Sequence, residues 1–317
     1  MCSSFARFAI LALALPFTGA MAQVNLDPSR TAAAVSQATL PTAKDPGTLD
    51  TLQQENNFAA SSPGDQDIGQ QLILKRNEKT YPWHVTLDTS EFYTDNAANA
   101  HTGKTPDWFW VGGATVTYQP QINSRTFLDF DLAEHWFEYD KIKDLDFQTG
   151  EASAGVIVIM PELGNTIWTL NYYYERITQD IGRHPIYDTQ NIRLGVQKTV
   201  YLNRLNSLNF GLMASFALAA EPQELERHEY SFSAAYNLKI FRDLTFTVSE
   251  HLTYYDYFKA DNRHDWFNNV GAAFVYQPWQ WFELALSYNY TYNHSNQSTF
   301  TYENQLTGPS LSLKARF

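Results

Sequence analysis

From Tyr81 onward, apolar and polar residues alternate with a period of two. Successive side chains of a β-strand point to opposite faces of the sheet, so this pattern indicates strands with one apolar and one polar face. The alternation recurs in about twelve segments separated by turn-forming residues. The predicted strands are approximately 83–94, 107–118, 124–138, 150–160, 166–178, 188–200, 207–219, 227–240, 244–257, 266–277, 281–293 and 305–317.

The connections between these segments alternate in length. Five are short (QPQIN, PELGN, YLNRLN, FRD and QPWQ), and the intervening ones are longer and hydrophilic, as in DNAANAHTGKTP and HSNQSTFTYEN. Transmembrane barrels of the outer membrane have short periplasmic turns and longer external loops. The sequence therefore predicts an all-β protein, an antiparallel transmembrane β-barrel of about twelve strands. An even strand number places both termini on the periplasmic side.

The last segment, SLSLKARF, shows the two faces clearly. Leu311, Leu313 and Phe317 share one face, and Lys314 and Arg316 lie on the other. We expect Phe317 in an aromatic girdle at the periplasmic interface, with the two cations directed into the lumen.

Composition supports a barrel with a polar interior. Aromatic residues make up 15% of the chain, with 8 Trp and 19 Tyr, although the mean hydropathy is below zero. The aromatic runs near the long loops, such as Trp108–Trp110, are best explained as interfacial anchors. A stacking platform for sugars, using inward rings such as Phe109 and Tyr173, is an open alternative. The predicted periplasmic belt comprises Trp83, Tyr118, Tyr201, Tyr276, Trp279 and Trp281.

The N-terminus predicts secretion. Arg7 precedes the apolar run FAILALALPF, which ends in small residues up to Ala22, so residues 1–22 are predicted to be a signal peptide. Its removal also removes Cys2, the single cysteine. Disulfides, thiol catalysis and cysteine-based zinc sites are then excluded, and no cofactor is predicted.

Residues 23–80 differ from the rest in being rich in small, polar and proline residues. This composition is typical of a mostly disordered periplasmic arm. One apolar cluster, Leu72–Leu74, leaves open a docking segment or a plug.

Charge excludes one class of partner and defines candidate lumen residues. The formal charge of −12 becomes one unit more negative without Arg7, which argues against nucleic-acid binding. Inward charges would either set the selectivity of a pore or form a salt-bridged network that keeps the lumen rigid. The candidate lumen residues are Asp88, Asp129, Asp131, His135, Arg193, Lys239, Lys314 and Arg316.

With these features the chain resembles outer-membrane β-barrel proteins of Gram-negative bacteria as a class, over about Tyr81 to Phe317. The terminal LSLKARF resembles the signal that barrel-assembly machinery recognises in that class, which gives Phe317 that role. The resemblance implies outer-membrane lipid and the assembly machinery as partners. The predicted function is a passive, porin-like channel for small polar solutes.

Two other functions remain open. The first is a lipid hydrolase embedded in the barrel, for which the sequence offers only His294 beside Ser295 and the pair Asp129 and Asp131. A nucleophile, a base and an orienting group are needed within hydrogen-bond reach, and no convincing set is visible. No metal-ligand spacing or phosphate-binding glycine loop is found. The second is a structural or assembly protein whose arm recruits a periplasmic partner.

Two carboxylates conflict with the pattern, because Glu134 and Glu250 fall in the outward, lipid-facing phase. A carboxylate at mid-depth against lipid is unfavourable. Either a bulge changes the phase of each strand, or both lie above the hydrocarbon, or they mark a subunit contact.

Overall fold

The computed structural model describes residues 28–39, 81–179 and 184–317. The predicted signal peptide, residues 1–22, lies outside the described residues, as do residues 23–27 and 40–80 of the predicted arm. The domain boundaries assigned there stay predictions.

One antiparallel sheet and one helix account for most of the described residues. Four single turns of 3-10 helix lie in the connections, at Lys143–Leu145, Pro161–Leu163, Gln223–Leu225 and Ser298–Phe300. The helix and strands are α1 Pro28–Thr39, β1 Trp83–Thr94, β2 Asp107–Tyr118, β3 Gln121–Asn123, β4 Thr126–Tyr139, β5 Phe147–Met160, β6 Thr166–Gln179, β7 His184–Tyr201, β8 Asn206–Glu221, β9 His228–Phe241, β10 Leu244–Tyr257, β11 Arg263–Trp279, β12 Phe282–Ser295 and β13 Tyr302–Arg316.

The sheet closes on itself. Each long strand pairs with its neighbours in the chain, β13 pairs with β1, and β2 pairs with β4, so the three-residue β3 only extends a turn. At the seam the main chains of Trp83 and Phe317 exchange two N–H···O bonds of 3.1 Å. The predicted twelve-stranded antiparallel barrel is confirmed.

The barrel has a loop rim, which carries the longer connections, and a turn rim, which carries the short ones and Phe317. Several strands extend further toward the rims than the alternation predicts. For example, β7 begins at His184 rather than near residue 188, and β11 begins at Arg263 rather than near residue 266. Backbone pairing does not require alternating polarity, so strands continue where both faces are polar and the sequence pattern fades.

The outer surface is apolar, and the inner surface is mostly polar at mid-height, with apolar clusters near the rims that include Phe109 at the loop rim and Ile157 at the turn rim. Large outward side chains are strongly exposed at mid-height, including Leu132 at 63%, Leu212 at 58% and Leu286 at 57%. An apolar exterior that encircles a polar interior is the surface of a barrel that spans a membrane. No helix in the described part of the chain is long and apolar enough to cross a membrane.

The aromatic residues lie where the two predicted belts require them. Trp279, Trp281 and Tyr201 are more than half exposed at the turn rim, and Trp108 and Trp110 are exposed toward the loop rim. The ring of Trp279 is parallel to that of Trp281, with centroids 5.2 Å apart. These flat, amphipathic side chains suit the boundary between lipid and water.

Glu134 and Glu250 both point outward, and the pairing around each is continuous with no bulge. The explanation by a change of phase is therefore wrong. Each carboxylate instead accepts a hydrogen bond from an outward amide on the next strand, Gln148 for Glu134 and Asn268 for Glu250. Such a bond offsets part of the cost of a polar group that faces lipid.

The seam generates a prediction about Gly308. A Cβ at this position would lie 1.9 Å from the carbonyl oxygen of Glu91 on β1, so Gly308→Ala forces the two closing strands apart. We expect a strain of about 1–3 kcal/mol, seen as loss of the folded, heat-modifiable form at a lower temperature. Gly150→Ala is the matched control, because a Cβ there meets nothing within 4 Å. Equal melting of the two variants would contradict the assignment.

Candidate functional site

Helix α1 lies inside the barrel at the loop rim, against β11 and β12. Its sequence, PSRTAAAVSQAT, begins with proline at a position helices favour and continues with alanines of high helix propensity. Val35 and Ala38 are buried in a cluster that includes Phe92 and Phe109 of the barrel wall. Small side chains allow the helix to fit within the tube.

Arg30 fixes the first turn of α1. Its side chain is 1% exposed, and its guanidinium donates to Asp265 Oδ2 at 2.7 Å, to the Tyr257 hydroxyl at 2.7 Å and to Asn293 Oδ1 at 3.2 Å. The guanidinium carbon also lies 3.6 Å from the centre of the Tyr255 ring. A buried arginine is stable only when it is paired and hydrogen-bonded in this way.

Two further arginines surround this contact. Arg263 donates to Asp265 Oδ2 at 2.6 Å, while Arg227 donates to Tyr257 at 3.2 Å and to Ser29 of α1 at 3.0 Å. Burial by itself lowers the pKa of Arg30, but the neighbouring Tyr257, Tyr255 and Asp265 raise it, and the net shift is upward. Arg30 therefore stays charged. We call the set Arg30, Arg227, Tyr257, Arg263 and Asp265 the helix lock.

The rest of α1 is held by weaker, neutral bonds. The Asn99 amide donates to the Thr31 hydroxyl at 3.0 Å, and the Asn269 amide donates to Gln37 Oε1 at 2.8 Å. The helix is thus bound along its length, and it forms an ionic contact with Asp265 at the loop rim. A change of charge in the helix lock should therefore affect the position of α1 in the lumen more than a change elsewhere along the helix.

Asp129 and Asp131 face the lumen, but each is already hydrogen-bonded to the protein. Asp129 is fully buried and accepts from Gln119 at 2.8 Å and from Asn171 at 3.0 Å. Asp131 is partly exposed and accepts from Thr117 at 2.7 Å and Ser153 at 2.8 Å. Each carboxylate has its own donors, an arrangement unlike a catalytic dyad that shares one proton.

Asp88 and His135 meet across the strand between them, with a carboxylate oxygen 3.8 Å from His135 Nε2. Gly113 makes the approach possible, because a Cβ there would lie 2.3 Å from the imidazole and 2.7 Å from Asp88. These two predicted lumen residues therefore form one contact.

The four predicted cations lie in different places. Arg193 stacks on Tyr173, with its guanidinium carbon 3.2 Å from the ring centre, and Lys314 pairs with Glu283 at 2.6 Å. Arg316, opposite His84 in the register, and Lys239 are exposed near the turn rim. The structure thus brings the predicted residues together in small groups rather than in one site, and their role in selectivity stays a prediction.

The other rings suggested for stacking are covered. Phe109 is 2% exposed, and its ring stacks on Tyr139 with centroids 5.0 Å apart. Tyr173 has Arg193 over one face. Neither ring offers a bare face at the mouth.

The hydrolase pair suggested by sequence is not assembled. His294 and Ser295 are neighbours on β12, with His294 exposed on the outside and Ser295 buried on the inside. His264 does contact a carboxylate, but its Nδ1 lies both 3.2 Å from Asp256 Oδ1 and 3.0 Å from the Tyr254 hydroxyl, so one ring nitrogen makes both contacts. Within residues 28–39, 81–179 and 184–317, no cluster of three or more metal-ligating side chains occurs.

Comparison with known proteins shows the fold. An outer membrane channel from Pseudomonas putida F1 aligns with a TM-score of 0.52 at 11% identity, covering 81% of this chain and 100% of the channel. The NanC porin aligns with a TM-score of 0.43 at 10% identity, covering 72% of this chain and 100% of the porin. LpxR from Salmonella typhimurium aligns with a TM-score of 0.41 at 10% identity, covering 72% of this chain and 99% of LpxR.

The channel from P. putida shares the fold of an outer-membrane β-barrel with this chain. The other two have TM-scores below 0.5, so neither bears on what this chain does. No family model and no curated protein matches the sequence.

Trypsin cleavage after Arg30 tests whether the helix lock holds α1 in the lumen. Asp265→Asn removes the charge that Arg30 and Arg263 share, and breaking one partner of a buried pair costs about 3–5 kcal/mol. The closed sheet does not depend on this contact, so we expect α1 to leave the lumen and trypsin to cut after Arg30 in a barrel that stays folded.

Asp95→Asn is the matched control, because Asp95 pairs with Lys104 at the exposed loop rim. Wild type and this control should resist cleavage after Arg30. Equal resistance in Asp265→Asn, with the barrel folded, would show that the lock does not hold the helix.

Proposed function

We propose that this protein is an outer-membrane channel for small hydrophilic solutes, and that α1 is a plug seated in its lumen. The observation that carries the proposal is a closed, twelve-stranded tube with many polar side chains on its inner wall, whose loop rim is occupied by a helix that side-chain hydrogen bonds hold to the wall. The loop rim faces the outside of the cell, and the turn rim with both ends of the barrel faces the periplasm, as is usual for this class.

Barrel size supports a narrow pore. Eight strands leave an interior that side chains fill, while sixteen to eighteen leave a wide aqueous channel, so twelve strands give an intermediate lumen. Below α1, the inner wall carries charged and hydroxyl side chains, among them Asp131, Arg193 and Lys314. Solutes in such a lumen meet polar groups at mid-height.

A channel accounts for the inward residues better than a hydrolase does. The polar groups converge inside the tube, where lipid substrates have no access, and the outward His264 contacts a carboxylate and a tyrosine. The role of Phe317 in assembly and the recruitment of a periplasmic partner stay predictions.

Planar-bilayer recording tests the channel and the plug together. Removal of residues 28–39 should raise single-channel conductance severalfold, because it clears the loop rim of the lumen. Removal of residues 50–61, an equal length outside the described residues, is the control and should leave the conductance at the wild-type level. A correctly inserted barrel that is insulating in all three forms would overturn the channel proposal, and equal conductance in all three would overturn the plug.

Selectivity gives a second test, made in the barrel without residues 28–39. Asp131→Asn removes a partly exposed charge from the pore wall, so the reversal potential in a salt gradient should shift toward anions. Asp129 is 0% exposed and its carboxylate is hydrogen-bonded to two side-chain amides, so Asp129→Asn should shift the reversal potential less. A larger shift for Asp129 than for Asp131 would contradict the placement of the pore wall.

A further inference from the structure

A cavity lies in the lumen at the C-terminal end of α1, against the inner wall formed by β4 to β10. Its volume is about 360 Å³, which is enough for several side chains or a small molecule. Gln37 lines the cavity, and α1 ends two residues later at Thr39. The cavity therefore begins where the helix ends.

The chain that follows α1 runs between two fixed points. Ala38 is 5% exposed and is buried inside the tube in the cluster that contains Phe92. Tyr81 lies at the turn rim, two residues before Trp83, whose backbone is bonded to Phe317. The sheet is closed, and a route outside it would bring unpaired backbone groups into hydrocarbon. We therefore expect residues 40–80 to pass through the lumen, and the cavity lies on that route.

The cavity carries a net negative charge. Asp131 and Glu151 contribute two negative charges to its lining and Arg193 one positive charge, so with His251 neutral the lining sums to one negative charge. The C-terminal end of α1 adds a partial negative charge to the same space. A carboxylate that is partly removed from water is stabilised by an opposite charge nearby, so the cavity favours a cation.

The sequence supplies a cation at the right distance. Residues 40–44 read LPTAK, and Lys44 is the first basic residue after α1. Pro41 has no backbone N–H and favours departure of the chain from the helix. An extended chain advances about 3.3 Å per residue, so Lys44 lies within about 17 Å of the helix end. Its flexible side chain extends this reach toward the cavity wall.

The other charged residues of the connection compete poorly for this place. Lys75, Arg76 and Lys79 lie two to six residues before Tyr81, near the turn rim. Asp45 follows Lys44 directly and has the opposite charge. Successive side chains of an extended chain point to opposite sides, so a chain that directs Lys44 to one wall directs Asp45 away from it.

We propose that the cavity is the docking site of residues 40–44 of this chain, and that the ammonium group of Lys44 pairs with the carboxylates of Asp131 and Glu151. The docked segment holds the inner end of α1 as Arg30 and Asp265 hold its outer end. In both places a cation of the arm meets a carboxylate of the barrel wall. The inference concerns the seating of the arm and does not depend on conduction.

Zero-length crosslinking tests the contact in the wild-type protein. A water-soluble carbodiimide joins a carboxylate to an amine only when the two are in contact, and mass spectrometry identifies the products in native outer membranes. We expect a product that joins Lys44 to Asp131 or Glu151. The positive control is the product between Lys314 and Glu283, which are 2.6 Å apart on the inner wall.

Two outcomes of the crosslinking would overturn the docking site. The first is absence of the Lys44 product in membranes where the product between Lys314 and Glu283 forms. The second is a product that joins Asp131 or Glu151 to Lys75 or Lys79 instead, which would place the other end of the connection in the cavity.

Variants measure what the contact does for the plug. Lys44→Gln removes the charge, so the rate of trypsin cleavage after Arg30 in the folded barrel should rise about three- to tenfold as the seated helix loses one attachment. Lys75→Gln is the matched control, because it makes the same change near the turn rim, and the cleavage rate should stay at the wild-type level. Equal rates in the two variants would overturn the proposal.

A double-mutant cycle tests the pairing itself. Asp131→Asn should raise the cleavage rate as Lys44→Gln does, and the two changes together should add little to either one alone. Fully additive effects would overturn the pairing of Lys44 with Asp131. An insulating barrel that forms the Lys44 product would overturn the channel and support the docking site, whereas a conducting barrel without that product would overturn only the docking site.

Discussion

Closure of the sheet is the constraint on which the rest of the structure depends. In hydrocarbon no water can bond to free backbone groups, so the first and last strands must pair with each other. At the seam, the backbones of Trp83 and Phe317 are hydrogen-bonded to each other. The backbone of Gly308 lies close to that of Glu91, which brings the two closing strands together. Once the tube is closed, one face of every strand meets lipid and the other meets the lumen, and a slip of one residue would exchange the two.

Closure also explains why charge concentrates inside. A polar group on the inner face can find partners on strands across the sheet or on a segment within the lumen, as Arg30 does with Asp265, Tyr257 and Asn293. On the outer face the choice is limited to the adjacent strand, and Glu134 and Glu250 each use an amide there. β4 and β10 are six strands apart in a barrel of twelve, so these two polar contacts lie on opposite sides.

The sequence predicted the elements better than the contacts between them. The bounds of β1, β2 and β10 agree with the alternation, since their inner and outer faces differ in polarity along the whole strand. The alternation also predicts that Asp88, Asp129 and His135 point inward. It does not predict the partners of these residues, because the partners come from other strands. Asp88 reaches His135 only because Gly113 has no side chain. Helix α1 was missed because a lumen helix composed mainly of alanine, serine and threonine has only a weak apolar face, Val35 and Ala38, and resembles a linker in composition.

The position of Gln37 links α1 to the lumen below it. Its side-chain oxygen accepts from Asn269 at 2.8 Å, and the residue also lines a space of about 360 Å³ between α1 and the barrel wall, so the seating of α1 defines one side of that space. In the proposed channel, any group that contacts both α1 and the wall would stabilise the seated helix by linkage, and loss of the contact between Arg30 and Asp265 would weaken the binding of that group to the same extent.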